Sequence, residues 1–320
     1  MRTLLLALLL VVAATAGLAA YARHRFTAPG PLAQPRTLMI EPGAPAELAA
    51  TLQAAGLVAD AREFRAAALI TRGEGTLHAG ELAFPAAASL RQVLTVLRTG
   101  RPVQHRITIP EGLTAAQIAL LLDRTDTLGG DPVLPDEGAV LPQSYSYERG
   151  ASRASVVERA AAAMQRSLAQ AWADRATDLP LATPLELLTL ASIVERETAR
   201  PEERAHVAAV LLNRLRRGMK LQSDPTVAYA ASGGLVTADP ALTRAELDRP
   251  NPYNTYASVG LPPGPIDSPG IAALHATARP IASDDLYYVA DGTGGHAFAR
   301  SLEEHNRNVA RWRALPAKAP

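Results

Sequence analysis

The hydrophobic pattern opens with one long apolar segment. Residues 3–22 carry no charged side chain and consist mainly of Leu, Ala and Val, which is long enough to cross a bilayer as a helix. Ala20, Tyr21 and Ala22 also fit an A-x-A signal-peptidase site, but the length favours an uncleaved anchor. We therefore expect residues 1–25 to be a single-pass anchor in a bacterial inner membrane, with the rest of the chain in the periplasm.

Shorter patterns follow a Pro-rich linker at 26–35. They predict a strand at 37–40 and helices at 46–55, 60–70 and 90–97, which we group as a small α/β domain at 36–103. A strand at 107–109 and a helix after Thr114, whose side chain is expected to form a capping box with Gln117, weakly repeat the first strand–helix unit. The pattern as a whole predicts an α+β fold, with a mixed domain at 104–320.

The strongest helix signal leads to a pair of glutamates. Thr183 and Pro184 mark a helix start, and residues 185–194 are apolar on almost every face, which is typical of a buried helix. Glu195 follows, where burial should raise the pKa of a carboxyl group and suit it to act as a general acid. Glu197 lies roughly 200° around the helix from Glu195, so we expect one to face the site and the other to brace the structure.

Two later segments predict the walls of a cleft. Residues 219–227 are expected to form a Pro-restricted loop that carries Gln222 and Asp224, and 251–266 is a long loop rich in Pro, Gly, Asn and Tyr. Their amides and hydroxyls suit hydrogen bonding to a sugar. The pattern at 286–299 predicts a hairpin, followed by a last helix.

Composition removes several classes of function. The absence of cysteine excludes thiol nucleophiles, iron–sulfur sites and disulfide scaffolds. The net charge of +1 argues against a nucleic-acid partner. The histidines are scattered without a ligand spacing, so we expect neither a metal nor another cofactor.

Five short motifs, taken in order, resemble the YceG-like family of endolytic murein transglycosylases. They are 191–198 (ASIVERET), 212–215 (LNRL), 221–227 (LQSDPTV), 253–256 (YNTY) and 260–266 (GLPPGPI). The resemblance covers nearly the whole chain and implies a membrane anchor, a LysM-like subdomain at 36–103 and a catalytic domain at 104–320.

The resemblance also implies roles for individual residues. The family's catalytic glutamate falls on Glu195, and its glutamate-glycine, proline and tyrosine segment falls on Glu137-Gly138, Pro142 and Tyr145. Gln143-Ser144 here replaces the acid and threonine that often lie between the last two. The implied substrate-binding residues are Glu137, Tyr145, Glu197, Asn213, Gln222, Asp224, Tyr253, Asn254 and Tyr256.

The implied reaction cuts the bond from N-acetylmuramic acid to N-acetylglucosamine within nascent peptidoglycan strands. No water is consumed, and the products end in 1,6-anhydromuramic acid, with Glu195 as the single general acid and base. The implied partners are the glycan strand and peptidoglycan synthases (penicillin-binding proteins).

Other interpretations of the same residues remain open. Glu195 could simply pair with Arg196 or Arg214, and the amide and phenol side chains could lock loops instead of contacting sugar. The protein could then be a non-catalytic peptidoglycan-binding scaffold. It could also be a hydrolytic muramidase, with a second carboxylate from Glu197, Asp224 or Glu137.

Overall fold

Helices and short two-stranded sheets together make up the chain, which confirms the predicted α+β class. The computed structural model describes residues 2–235 and 242–315. Met1 and residues 316–320, the outer ends of the predicted anchor and catalytic domain, lie outside the described residues. The chain packs as two units, Met1–His105 and Arg106–Pro320, which we call the first and second units.

The first unit is built on one antiparallel strand pair and three helices that follow the apolar helix. Its elements are α1 (Arg2–Thr27), β1 (Arg36–Ile40), α2 (Pro45–Ala54), α3 (Ala61–Ile70), β2 (Gly80–Phe84) and α4 (Leu90–Thr99). The pairing of β1 with β2 aligns Leu38 with Leu82. Side chains from all of these elements except α1 form a buried core around Phe64 and Phe84. Asp60 caps α3, since its side chain accepts the Arg62 N–H at 2.6 Å.

The C-terminal end of the apolar helix α1 packs against the rest of the first unit. Within the described residues, Leu4–Thr27 is the one helix long and apolar enough to cross a membrane. Beyond its apolar part, Arg25 pairs with both carboxylate oxygens of Glu63 at 2.9 Å, and Phe26 packs against the core. The predicted linker also packs here, because Leu32 is buried and Gly30 donates its N–H to the Ala87 carbonyl at 3.0 Å.

The second unit is mostly helical. Its elements are β3 (Gln104–Thr108, which begins at the boundary), α5 (Ala115–Asp123), β4 (Ser144–Glu148), α6 (Arg153–Ala173), α7 (Pro184–Glu197), α8 (Arg204–Arg216), α9 (Asp224–Ser232), α10 (Arg244–Asp248), α11 (Ile271–Ala278), β5 (Tyr287–Ala290), β6 (His296–Ala299) and α12 (Leu302–Arg313). The predicted hairpin is confirmed as β5 and β6, which pair antiparallel. The Thr114–Gln117 capping box is also confirmed.

Helix α7 is the centre of the second unit. Thr183 caps it as predicted, and every residue from Leu187 to Val194 is buried. It packs on α6, α8, α9 and α11, so the apolar sequence on all faces is explained by neighbours on all sides. Glu195 therefore lies on a helix whose position is fixed by the core that surrounds it.

One predicted loop boundary is wrong. The loop expected at 219–227 ends early, because α9 begins at Asp224. Pro225 lies in the first turn of that helix, where the missing N–H costs no hydrogen bond. Helix α8 is preceded by a 3-10 turn at Pro201–Glu203.

Candidate active site

Glu195 lies near the C-terminal end of α7, and its carboxylate is almost completely enclosed. Its side chain is 4% exposed. Oε1 accepts a hydrogen bond from an Arg204 guanidinium nitrogen at 2.9 Å, and Oε2 accepts the backbone N–H of Gly270 at 2.8 Å. Gly270 is the N-cap residue of α11, so the positive end of a helix dipole also faces the carboxylate. Both oxygens therefore have donors in place for the ionised form.

Opposing influences act on the proton affinity of this carboxyl group. Burial raises the pKa of Glu195 above its ordinary value, the Gly270 N–H and Arg204 lower that pKa, and the nearby Glu111 carboxylate raises it. Burial dominates, so the net direction is upward. A carboxyl group with a raised pKa that also has donors ready for its ionised form can give up a proton and take one back.

Two further carboxylates lie close to Glu195. The same Arg204 nitrogen is 3.5 Å from Glu111 Oε2. A Cβ built on Gly112 would come within 3.8 Å of Glu195 Cγ and 4.0 Å of Asp267 Oδ2, so this turn and Asp267 line the same space. We call Glu195, Arg204, Gly270 and Glu111 the Glu195 site.

The loop that leads into α11 is held against α7 by a buried serine. Ser192 Oγ accepts the Ile266 N–H at 3.0 Å. Gly138 also packs on this loop, because a Cβ at that position would lie 2.7 Å from Pro265 Cβ and 3.3 Å from the Asp267 carbonyl oxygen. The Glu137-Gly138 segment and the Glu195 site are therefore built on the same short stretch of chain.

Replacing Gly138 with alanine is expected to destabilise the second unit by about 2 to 4 kcal/mol. Its φ of +73° disfavours a side chain and the new methyl group would meet Pro265. Gly150→Ala is the matched control, because Gly150 has a φ of +83° with nothing within 4 Å of a Cβ, and it should cost only about 1 kcal/mol. Urea unfolding of both variants measures the difference. Equal losses would show that the approach to Pro265 is not tight.

Glu137 belongs to a second group of predicted site residues. Its Oε1 accepts the Ala115 N–H at 2.8 Å and its Oε2 accepts the Tyr229 hydroxyl at 3.1 Å. The Tyr229 ring lies 4.9 Å from the Tyr253 ring. Burial raises the pKa of Glu137. This arrangement fixes two tyrosine rings and one carboxyl group next to each other, at the base of the predicted cleft loop.

Glu197 belongs to a third group, on a different side of α7 from the Glu195 contacts. Its Oε1 accepts the Ser223 hydroxyl at 2.5 Å, and burial raises the pKa of Glu197 against hydrogen bonds from Ser223 and Tyr288, which lower it. The nearby Asp224 accepts the Tyr256 hydroxyl at 2.6 Å. Glu195 and Glu197 thus contact different partners, as their spacing on the helix predicts.

The remaining predicted glycan contacts are bonded mainly to the backbone. Asn213 Nδ2 donates to the carbonyls of Ser283 and Asp285, and the Tyr145 hydroxyl donates to the Leu141 carbonyl at 2.6 Å. Asn254 Nδ2 donates in the same way to backbone carbonyls of α10 and of the residue that follows it. Gln222 has an exposed side chain and a φ of +51°. Their roles as sugar contacts stay predictions.

The Glu195 carboxyl group contacts an arginine other than Arg214. Arg214 does not pair with Glu195. Its Nε donates to the Leu286 carbonyl at 2.7 Å, and one guanidinium NH₂ donates to the Leu221 carbonyl at 2.6 Å. The partner is Arg204, which comes nine positions after Glu195. The turn between α7 and α8 brings Arg204 back to the carboxylate, and no periodic signal in the sequence marks that approach.

Comparison with known proteins agrees with the motifs. The sequence profile of the YceG-like family matches residues 38–311. A Streptococcus pneumoniae protein named endolytic murein transglycosylase is 31% identical over 312 aligned positions, covering 82% of this chain and 56% of the relative. A Bacillus subtilis protein of the same name is 41% identical over 122 positions, covering 38% of this chain and 33% of the relative. This chain therefore spans about half the length of the pneumococcal protein.

A solved structure shows the same architecture. The crystal structure of a protein described as YceG-like, from Listeria monocytogenes, superposes with a TM-score of 0.55 at 26% sequence identity. The superposition covers 86% of this chain and 98% of the Listeria chain. Sequence profile, relatives and fold therefore point to one family.

Proposed function

Because this chain belongs to the YceG-like family, we propose that it is a membrane-anchored endolytic murein transglycosylase with its active site at Glu195. The observation that carries the proposal is the enclosed Glu195 carboxyl group, held between the Arg204 guanidinium and the Gly270 N–H at 2.9 and 2.8 Å. Two relatives that carry the name endolytic murein transglycosylase support the same activity.

The proposed reaction uses one carboxyl group twice. Protonated Glu195 gives its proton to the oxygen that links N-acetylmuramic acid to the next sugar, and the bond from C1 to that oxygen breaks. The Glu195 carboxylate then takes the proton of the C6 hydroxyl of the same muramic acid while that oxygen bonds to C1. The product is a 1,6-anhydro ring, and the carboxyl group is protonated again.

The contacts of Glu195 suit both halves of this cycle. Burial favours the protonated acid at the start, because an enclosed carboxylate loses its hydration. The donors from Arg204 and Gly270 stabilise the carboxylate that exists between the two proton transfers. Neither donor has to move to do so, since both are fixed by α8 and α11.

The same contacts predict how the rate depends on pH. The resting enzyme needs a protonated Glu195, and burial raises the pKa of that group. Activity should therefore persist above the pH at which an ordinary carboxylic acid ionises, and kcat/KM should fall as pH rises through the raised pKa. Rates on soluble glycan strands across the acidic and neutral range measure this. A rate that already falls at the pH of an exposed glutamate would contradict the assignment.

Mass spectrometry of the products tests the reaction class. Glycan strands digested by the full chain in detergent should give fragments lighter by one water than the products of hydrolysis, with no reducing muramic acid end. Fragments of hydrated mass would identify a hydrolytic muramidase. No cleavage by a folded protein that still binds glycan would identify a scaffold.

The N-terminal helix sets the proposed location. We propose that Leu4–Thr27 anchors the chain in the inner membrane, with the rest of the protein on the periplasmic side, where nascent strands and the synthases that make them are found. Protease protection of the chain in spheroplasts before and after lysis tests this placement.

A further inference from the structure

A second acidic residue belongs to the Glu195 site, and sequence motifs do not single it out. Glu111 and Glu195 contact the same terminal nitrogen of Arg204, at 3.5 and 2.9 Å. We propose that Glu111 is a positioning residue, which holds the positive charge of Arg204 and thereby keeps Glu195 protonated in the resting enzyme. This inference rests on the proposed function and concerns what controls the protonation of its proposed acid, Glu195.

The charges of the three side chains carry the argument. One guanidinium lies between two carboxyl groups, so it can neutralise only one of them. The side chain of Glu111 is 45% exposed, whereas that of Glu195 is 4% exposed, so ionising Glu111 costs less hydration free energy. The balanced state is therefore an Arg204–Glu111 ion pair beside a neutral Glu195. Without the Glu111 charge, Arg204 would act on Glu195 alone and favour its ionised form.

Backbone hydrogen bonds hold the turn that follows Glu111. Gly112 follows it with a φ of +73° and donates its N–H to the Ser268 carbonyl at 3.0 Å, while the Ser268 N–H donates to the Leu113 carbonyl at 2.9 Å. On the other side, a Cβ at Gly270 would overlap the Glu111 carboxylate. The Glu111 carboxylate therefore lies directly against Gly270, the residue whose N–H binds Glu195.

Other charged groups face the same space and must be kept constant in a test. Asp267 is buried, with one carboxylate oxygen near Gly112. Arg196 follows Glu195 on α7, and one of its terminal nitrogens lies 3.4 Å from the Gly112 carbonyl. Both are left unsubstituted in every variant, so the variants differ from wild type only at the residue that is changed.

The test compares Glu111→Gln with wild type in the full chain. We expect the pKa of Glu195 to fall, as followed by carboxyl carbon NMR with the resonance assigned from Glu195→Gln. We also expect kcat/KM on the alkaline side of its pH profile to fall by about threefold to tenfold, with little change on the acidic side. A loss of folding alone would lower the rate equally at every pH.

Two variants serve as controls. Glu202→Gln removes the same charge from an acid that is 68% exposed and 3.8 Å from Arg200, and it should leave the profile where it is. Glu111→Asp restores the charge and should return the alkaline side toward the wild-type position. An unchanged Glu195 titration in Glu111→Gln overturns the inference. The NMR titration needs no turnover, so it decides this point even if wild type does not cleave glycan, a result that would overturn the proposed function instead.

Discussion

Replacing Glu195 with glutamine is expected to lower the rate of glycan cleavage by about 10³-fold or more. Glutamine has nearly the same shape, and its oxygen can still accept hydrogen bonds from Arg204 or Gly270, so the fold should be kept. Its amide cannot give a proton to the leaving oxygen or take one from the C6 hydroxyl. The measurement is the rate of fragment release from uncrosslinked glycan strands, read by mass spectrometry, with thermal unfolding of the same samples.

The matched control for that variant is Glu197→Gln. It removes a carboxyl group from the same helix, two residues away, where the contacts are Ser223 and Tyr288. We expect its cleavage rate to stay within about tenfold of wild type. A Glu195→Gln protein that still cuts within about tenfold of wild type would remove Glu195 from the mechanism. A Glu197→Gln protein that is inactive while stably folded would make Glu197 the group to examine.

Replacing Asn254 with alanine is expected to lower the free energy of unfolding by about 3 kcal/mol. This side chain is 1% exposed. Its Nδ2 group lies 2.9 to 3.3 Å from the carbonyl oxygens of Glu246, Leu247 and Arg249, and its Oδ1 accepts the Tyr256 N–H at 2.9 Å. Alanine removes a buried side chain that bonds to all four of these backbone groups, so several hydrogen bonds are lost at once.

Thermal unfolding and kinetics together measure the effect at Asn254. The Tm should fall by about 6 to 12 °C, and KM for glycan strands should change little at a temperature where the variant is folded. Asn251→Ala is the control, because Asn251 lies in the same loop but is only half-buried and accepts a single backbone N–H, that of Tyr253, at 2.8 Å. A raised KM with an unchanged Tm would instead support Asn254 as a sugar contact.

The elements that sequence predicts well are those whose signals are local. The cap at Thr183 and the unbroken apolar run after it define α7 without any knowledge of its neighbours. The hairpin strands on either side of 291–295 are defined by their turn in the same way. Helix α6 has no such signal, because its buried face consists largely of alanines such as Ala160 and Ala163. Small side chains give little contrast between the faces of a helix.

The residues of the candidate site also fall into those that local sequence predicts and those that it does not. Glu195 is predictable because burial follows from the apolar helix that carries it. Arg204, Glu111 and Gly270 are not, because each reaches the carboxylate through tertiary packing of a different segment. Asn254 has the residue type expected of a sugar ligand, but a polar side chain in a loop can bind either its own backbone or a ligand. Sequence alone does not separate those two uses.

The packing of the apolar helix α1 against the rest of the first unit has a mechanical consequence. The helix continues without a break as far as Thr27, the Arg25–Glu63 pair fastens its side, and Phe26 is packed into the unit beyond it. These contacts hold the end of the helix against the core that includes Phe64 and Phe84. In the proposed membrane-anchored state, a tilt or rotation of the helix in the bilayer would therefore be passed on to the folded part of the first unit. Under that proposal, the angle of the helix in the bilayer would set how far the rest of this unit extends from the lipid surface.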